Sequence, residues 1–176
     1  VTLISTVEDQ TLPGSIKKIM VCSARDMLEA VKKYFSLMNI IIMAAAVADH
    51  RPKSFSDKKI KKELIRSVEL VKNPDILEYM GKNKSGQFIL GFALENENGI
   101  ENAYKKLLKK KCDLIAYNNP CVEGSGFGEE TTIVSLIDIK KNIIEYPKLS
   151  KTVLARKVLF KIVSCLTTDK SITGKN

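Results

Sequence analysis

Several groups of residues in this 176-residue chain have the types and spacing that chemistry could use. Asp49 follows the run Ala44-Ala45-Ala46-Val47-Ala48, which puts a carboxylate where a buried strand would end. Lys59-Ile60-Lys61-Lys62 gathers ammonium groups that could neutralise a polyphosphate. Asn73-Pro74-Asp75 has the pattern of a helix start, and a helix N-terminus can cradle a phosphate. Lys106 and Lys110 stand one helical turn apart and project together. Taken singly, each group is also what a turn carboxylate, a solvated lysine face or a helix cap looks like. Phe92, between apolar neighbours, reads by itself as core.

Other chemistries are excluded by composition. The chain has one histidine, His50, and four cysteines, Cys22, Cys112, Cys121 and Cys165, without paired spacing, so no Cys/His zinc site assembles. Neither G-x-G-x-x-G nor G-x-x-x-x-G-K-[ST] occurs, so the two common phosphate loops are absent. A net charge of +9 favours anionic partners. The cations are mostly lysine and scattered, with no aromatic interleaving, so a nucleic-acid module ranks last and no nucleic-acid partner is expected. The longest apolar stretch, residues 40–48, is far short of the roughly 20 residues a membrane helix needs, so no membrane partner is expected. No basic-then-apolar leader is recognisable, which gives a cytoplasmic expectation.

The elements that would position these residues alternate between strand and helix. Residues 1–5 and 16–22 read as strands, with Pro13-Gly14 as a turn between them. Ser23 reads as an N-cap with Asp26 three residues on, followed by a helix with Met27, Leu28, Val31, Tyr34 and Phe35 at a 3.6 period. Residues 39–48 read as a strand buried on both faces, residues 51–63 as a loop, and 67–71 as a strand. Asn73 as N-cap and Pro74 at the first helical position open the next helix. Residues 87–94 form a buried strand, and 99–111 an amphipathic helix with Ile100, Ala103, Tyr104, Leu107 and Leu108 on its stripe. A strand at 113–117, a glycine-rich loop at 124–128, a hairpin of 131–139 with 142–146, and a closing helix at 149–166 complete the chain. This alternation predicts an α/β, three-layer Rossmann-like fold with a mainly parallel sheet and a C-terminal β-hairpin plus helix. Residues 1–166 make one domain, with 167–176 a frayed tail. Ligands of such sheets bind beyond the carboxyl ends of the strands, where Asp49, Asn73, Asp75, Glu95, Asn118 and Asn119 would gather.

The whole string is more specific than its parts. Ala45-Ala46-Val47-Ala48-Asp49-His50-Arg51-Pro52, Lys59-Ile60-Lys61-Lys62 and Leu70-Val71-Lys72-Asn73-Pro74-Asp75-Ile76-Leu77 resemble the bacterial phosphopantothenate–cysteine ligase. The likeness continues through Gly91-Phe92-Ala93-x-Glu95, Asp113-Leu114-Ile115-Ala116, Gly126-Phe127-Gly128 and Pro147-x-x-Ser150-Lys151, in the family's order over nearly the entire chain. That domain usually forms the C-terminal half of a bifunctional coenzyme A biosynthesis flavoprotein.

The resemblance implies a ligase that joins 4′-phosphopantothenate and cysteine through an acyl-cytidylate, with CTP as co-substrate, usually with Mg2+. The substrate supplies its own carboxylate nucleophile, so the protein aligns groups and neutralises phosphate charge. Lys59 matches the lysine that meets the nucleotide phosphates from a flap, and Asp49 the nucleotide-contacting aspartate; these two are the catalytic candidates. Ala44 and Ala45 leave room for the nucleotide. Pro74, Asp75, Ile76 and Leu77 match the segment facing it, and Phe92, Lys106 and Lys110 match further CTP contacts. A homodimer is implied. The chain departs from the family pattern at Asn119, Glu129-Glu130 and Thr132, and it opens at what resembles the family's second strand. The first strand–loop–helix, which helps hold the acyl substrate, is therefore expected to be missing from it, whether the chain is a fragment, the rest exists separately or the protein is a reduced form; the flavoprotein decarboxylase half is absent as well, so no FMN is expected in this chain. Two other readings compete: a nucleotide-binding but catalytically incomplete domain or assembly subunit, and the basic nucleic-acid module.

Overall fold

The computed structural model describes residues 1–8, 11–61, 67–122 and 128–173. In chain order the elements are β1 (Thr2–Ser5), β2 (Lys17–Met20), α1 (Ala24–Tyr34), β3 (Ile40–Met43), β4 (His50–Pro52), β5 (Leu70–Lys72), α2 (Ile76–Lys82), β6 (Phe88–Leu94), α3 (Gly99–Lys110), β7 (Leu114–Asn118), β8 (Thr131–Asp138), β9 (Ile143–Ser150) and α4 (Lys151–Thr173). They fall into two compact units, Val1–Leu37 with Ala45–Tyr79, and Met38–Ala44 with Met80–Asn176. The fold is Rossmann-like α/β, as the alternation of elements predicts.

In the first unit β1 and β2 pair in parallel, Thr2 opposite Lys17 through Ser5 opposite Met20. The α1 helix starts where the sequence places its cap. Ser23 Oγ accepts from the Asp26 N–H at 3.2 Å and donates to Asp26 Oδ2 at 2.8 Å. The same carboxylate oxygen accepts from the Cys22 N–H, so two otherwise unpaired donors are satisfied reciprocally. That pairing, led by the Ser23 hydroxyl, holds the Asp26 carboxyl below its ordinary range. Met27, Val31 and Phe35 recur at four-residue intervals and are buried. The third pair in this unit is antiparallel, β4 with β5, His50 opposite Lys72 and Pro52 opposite Leu70.

The second unit is built on a five-stranded sheet in the order β3-β6-β7-β8-β9. β3, β6 and β7 run parallel, and β8 and β9 add as an antiparallel hairpin. Strand alternation sorts the core into two faces. Phe88, Leu90, Leu114, Ala116, Val134 and Leu136 pack with Leu154, Val158 and Ile162 of α4. Ile89, Ile115 and Ile137, on the alternate positions, are fully buried, and α3 lies against β6, β7 and β8. Helix, sheet and helix thus form three layers. Asp138 ties the hairpin turn, accepting from the N–H groups of Lys140 and Asn142 and from Asn142 Nδ2, each at 2.9 Å.

Four expectations need correction. Residues 39–48 are not one buried strand: β3 ends at Met43, and Ile40 and Ile42 are 38% and 45% exposed because β3 is a sheet edge with one uncovered face. The segment 51–63 is not all loop, since its first residues belong to β4. The second helix begins at Ile76, with Asp75 rather than Asn73 as its cap: Asp75 Oδ1 accepts from the Glu78 N–H at 2.8 Å. The closing helix starts at Lys151, because Leu149 and Ser150 still pair with Thr132 and Thr131, and it continues to Thr173 rather than ending at 166. No helix among the described residues is long and apolar enough to cross a membrane.

Candidate functional site

The carboxyl ends of β6 and β7 finish level, with Leu94 opposite Asn118 and the Glu95 N–H donating to the Asn118 carbonyl at 3.3 Å. Beyond them lies a depression of about 410 Å³ lined by Leu94, Glu95, Asn96, Glu97 and Asn102. The start of α3 forms part of its wall: Asn98 takes a left-handed conformation (φ 49) that turns the chain from strand to helix. Asn102 Nδ2 donates to the Glu97 carbonyl at 3.0 Å and closes that turn.

Lys106 and Lys110 share a face of α3, and both are half-buried. The Lys106 ammonium reaches the sheet and donates to the Phe92 carbonyl at 2.9 Å, two residues before β6 ends. Phe92 itself is half-buried and packs against the sheet–α4 core. The structure therefore joins Lys106 to Phe92 through backbone, while the Phe92 ring serves packing. α3 leads from the end of β6 back to the start of β7, so Lys110 stands one turn, about 5.4 Å, farther from the rim than Lys106. At Lys110 the helix meets Gly81, whose missing Cβ is what lets the two backbones approach. Ala44, the other candidate in this unit, follows β3 and is exposed.

The remaining candidates lie in the first unit. Asp49 and Ala45 are exposed. The Asp49 carbonyl accepts from the Asn73 N–H at 2.8 Å, which brings the Asp49 turn against the segment leading to Pro74 and Asp75. Asn73 Nδ2 donates to the Ala48 carbonyl at 2.8 Å, and Asn73 Oδ1 accepts from Arg51 Nη1 at 3.1 Å. Pro74 is half-buried, and the side chains of Ile76 and Leu77 are buried. The helix they begin has seven residues, short for an anion-binding dipole. Lys59 is exposed, and Lys62 and most of the glycine-rich loop fall outside the described residues. Sequence reasoning singled out Asn73 as a cap and passed over Arg51.

Among the described residues no group of three His, Cys, Asp or Glu side chains is placed to hold a metal ion. Cys112 is buried, and that burial, with the Asp113 charge adding to it, pushes its thiol up to about 11. Such a thiol stays protonated at neutral pH.

Parallel strands, an intervening helix and polar residues beyond the strands' carboxyl ends define a Rossmann-like α/β domain of the ligand-binding kind. Residues 1–166 match the DNA/pantothenate metabolism flavoprotein C-terminal domain, and the chain belongs to that family. It is 37% identical over 163 residues to the coenzyme A biosynthesis bifunctional protein CoaBC of Borreliella burgdorferi, covering 90% of this chain and 40% of that protein. It is 39% identical over 153 residues to a cysteine/cysteine sulfinic acid decarboxylase of an unknown prokaryotic organism, covering 85% of this chain and 42% of that one. The crystal structure of the C-terminal domain of a CoaBC protein superposes with a TM-score of 0.76 at 35% identity, covering 95% of this chain and 76% of that chain. The chain thus spans about two-fifths of the length of these full-length relatives.

Proposed function

We propose that this domain catalyses the ligation of 4′-phosphopantothenate with cysteine in coenzyme A biosynthesis, using CTP. The observation that carries the reading is the match to the CoaBC C-terminal domain, at 35% identity over 95% of this chain. In the first half-reaction the phosphopantothenate carboxylate attacks the α-phosphate of CTP, forming the acyl-cytidylate and releasing pyrophosphate. In the second, the cysteine amine attacks the acyl carbon, CMP leaves, and the amine proton passes to solvent. No protein nucleophile is required. The task of the chain is to hold the reactants in line and offset charge on the transferring phosphorus.

In this reading Asp49 holds the nucleotide at the turn fixed by Asn73, with Ala44 and Ala45 exposed and too small to obstruct it. Lys59 meets the phosphates, and the resemblance gives Lys106 and Lys110, cations on α3 of the second unit, as further CTP contacts. Asp75 contributes mainly by capping its helix, and Phe92 through its backbone. Magnesium enters as part of the metal–triphosphate substrate, since metal ions of this kind bind largely through substrate phosphates. Two copies of the protein form the working unit, and sedimentation at micromolar concentration should give about twice the protomer mass.

The test uses the full-length protein that carries this domain. Pyrophosphate should appear only when CTP and phosphopantothenate are both present, and phosphopantothenoylcysteine only when cysteine is added. Lys59→Ala should lower acyl-cytidylate formation about 10²–10³-fold, the loss typical of one electrostatic donor. It should leave stability within about 0.5 kcal/mol, since the side chain is exposed. CTP binding without any pyrophosphate release would favour a nucleotide-binding domain without ligase activity.

A further inference from the structure

We propose that Arg51 is a positioning residue for the nucleotide: it orients the Asn73 side chain, and through Asn73 it fixes the backbone turn that presents Asp49. The inference rests on the ligase reading for the nucleotide and for its contact with Asp49, and on the geometry for the bonds that join Arg51, Asn73 and the Asp49 turn.

The β4–β5 pair is three residues long on each side. A two-stranded ribbon of that size is marginal by itself, so its open end needs other bonds to hold one geometry. Those bonds converge on Asn73. Its N–H donates to the Asp49 carbonyl and its Nδ2 to the Ala48 carbonyl, both at 2.8 Å. Its Oδ1 accepts from Arg51 Nη1 at 3.1 Å, and the same Nη1 donates to the Lys72 carbonyl at 2.5 Å.

The arrangement works in only one amide orientation. Turning the Asn73 amide over would set its NH2 against the guanidinium and its oxygen against the Ala48 carbonyl, losing both bonds. Arg51, a donor without any acceptor, thus selects the orientation in which Nδ2 faces Ala48. Both Nη1 hydrogens are used on acceptors at the end of β5, and both acceptors are neutral. Lysine at this position would keep the charge, but it ends one bond earlier and lacks the planar fork. Arg51 is half-buried while Asp49 is exposed, as expected if one residue builds the turn and the other meets the ligand.

The test is a double-mutant cycle in the full-length protein, read by calorimetric CTP binding, by KM for CTP and for cysteine, and by the Asn73 side-chain amide resonances. Arg51→Gln and Asn73→Ala should each weaken CTP binding about 10-fold, and the pair together no more than the worse single, because both remove one chain of bonds. KM for cysteine should hold within twofold, and Arg51→Lys should not rescue. Arg51→Gln should also shift the Asn73 amide resonances and speed their exchange with solvent.

Multiplicative losses, or full rescue by Arg51→Lys, would overturn the proposal in favour of direct contact between the Arg51 charge and the phosphates. Unchanged CTP affinity would overturn it outright, as would equal losses for every substrate together with a lowered melting temperature. If the unsubstituted protein binds no CTP, the ligase reading fails and the nucleotide role with it. The Asn73 resonances then still decide whether Arg51 orients that side chain.

Discussion

Replacing Gly81 by alanine should destabilise this protein although alanine is the better helix former. Gly81 lies in α2, where the exchange would ordinarily contribute about 1 kcal/mol of helix propensity. A Cβ built there, however, would stand 1.9 Å from the Lys110 carbonyl oxygen, 2.9 Å from its carbon and 3.2 Å from Lys111 Cβ. Ordinary contact begins near 3.5 Å, so the shortfall at the oxygen is roughly 1.5 Å. The obstacle is backbone in the last turn of α3, which cannot rotate aside as a side chain could. Overpacking of this kind costs about 1–3 kcal/mol, occasionally more. A backbone obstacle belongs at the upper end, so the net loss after propensity should be about 2 kcal/mol. For a chain of this size each kcal/mol lowers the melting temperature by about 2–4 °C, which gives a fall of roughly 4–8 °C in thermal unfolding. Amides in the last turn of α3 should exchange faster at the same time. Gly14→Ala is the control: nothing lies within 4 Å of its Cβ position, and it should be neutral or slightly stabilising. If Gly81→Ala melts at or above the parent temperature, the close packing of α2 on α3 is wrong. So then is the placement of Lys110 beside it.

Asp138→Ala should cost about 1–2 kcal/mol at neutral pH, because three hydrogen bonds in the β8–β9 turn end on that carboxylate. Partial burial pushes the carboxyl up, but the bonds from Asn142 and Lys140 outweigh it and the net shift is downward. A lowered folded-state value means the contribution is present above the ordinary 3.8 and is lost as pH falls through the folded-state value. Denaturant titrations at pH 7 and pH 2.5 should therefore show the penalty shrinking in acid; a constant penalty would assign it to packing. With iodoacetamide at pH 8, Cys22 and Cys121, both exposed, should be modified first. Cys112, at about 11 and buried, should react only after unfolding, and rapid modification detected by mass spectrometry would contradict its burial.

What the sequence determined alone was whatever depends on neighbours along the chain. The Ser23–Asp26 cap, the Met27, Val31, Phe35 stripe, the buried run of β6, and the turn between β8 and β9 all follow from spacing of 2, 3 or 4 residues. The family, too, was legible, because its motifs are local strings in a set order. Tertiary structure decided what depends on residues far apart in sequence. Apolar composition at 39–48 could not say where β3 stops, because a strand lasts only as long as its pairing: Met43 opposite Gly91 is the last β3–β6 pair, although β6 itself continues to Leu94. Asn73 has the composition of a helix cap, yet its side chain is taken by Ala48 and Arg51, more than twenty residues away. Lys106 reads from sequence as a surface lysine, and the packing of α3 on the sheet is what brings its ammonium to the Phe92 carbonyl. Gly81 carries no signal at all in sequence, since only the approach of Lys110 makes its missing Cβ matter. A hydrogen-bond donor or a bare backbone can be named from sequence, but its partner is chosen by the fold.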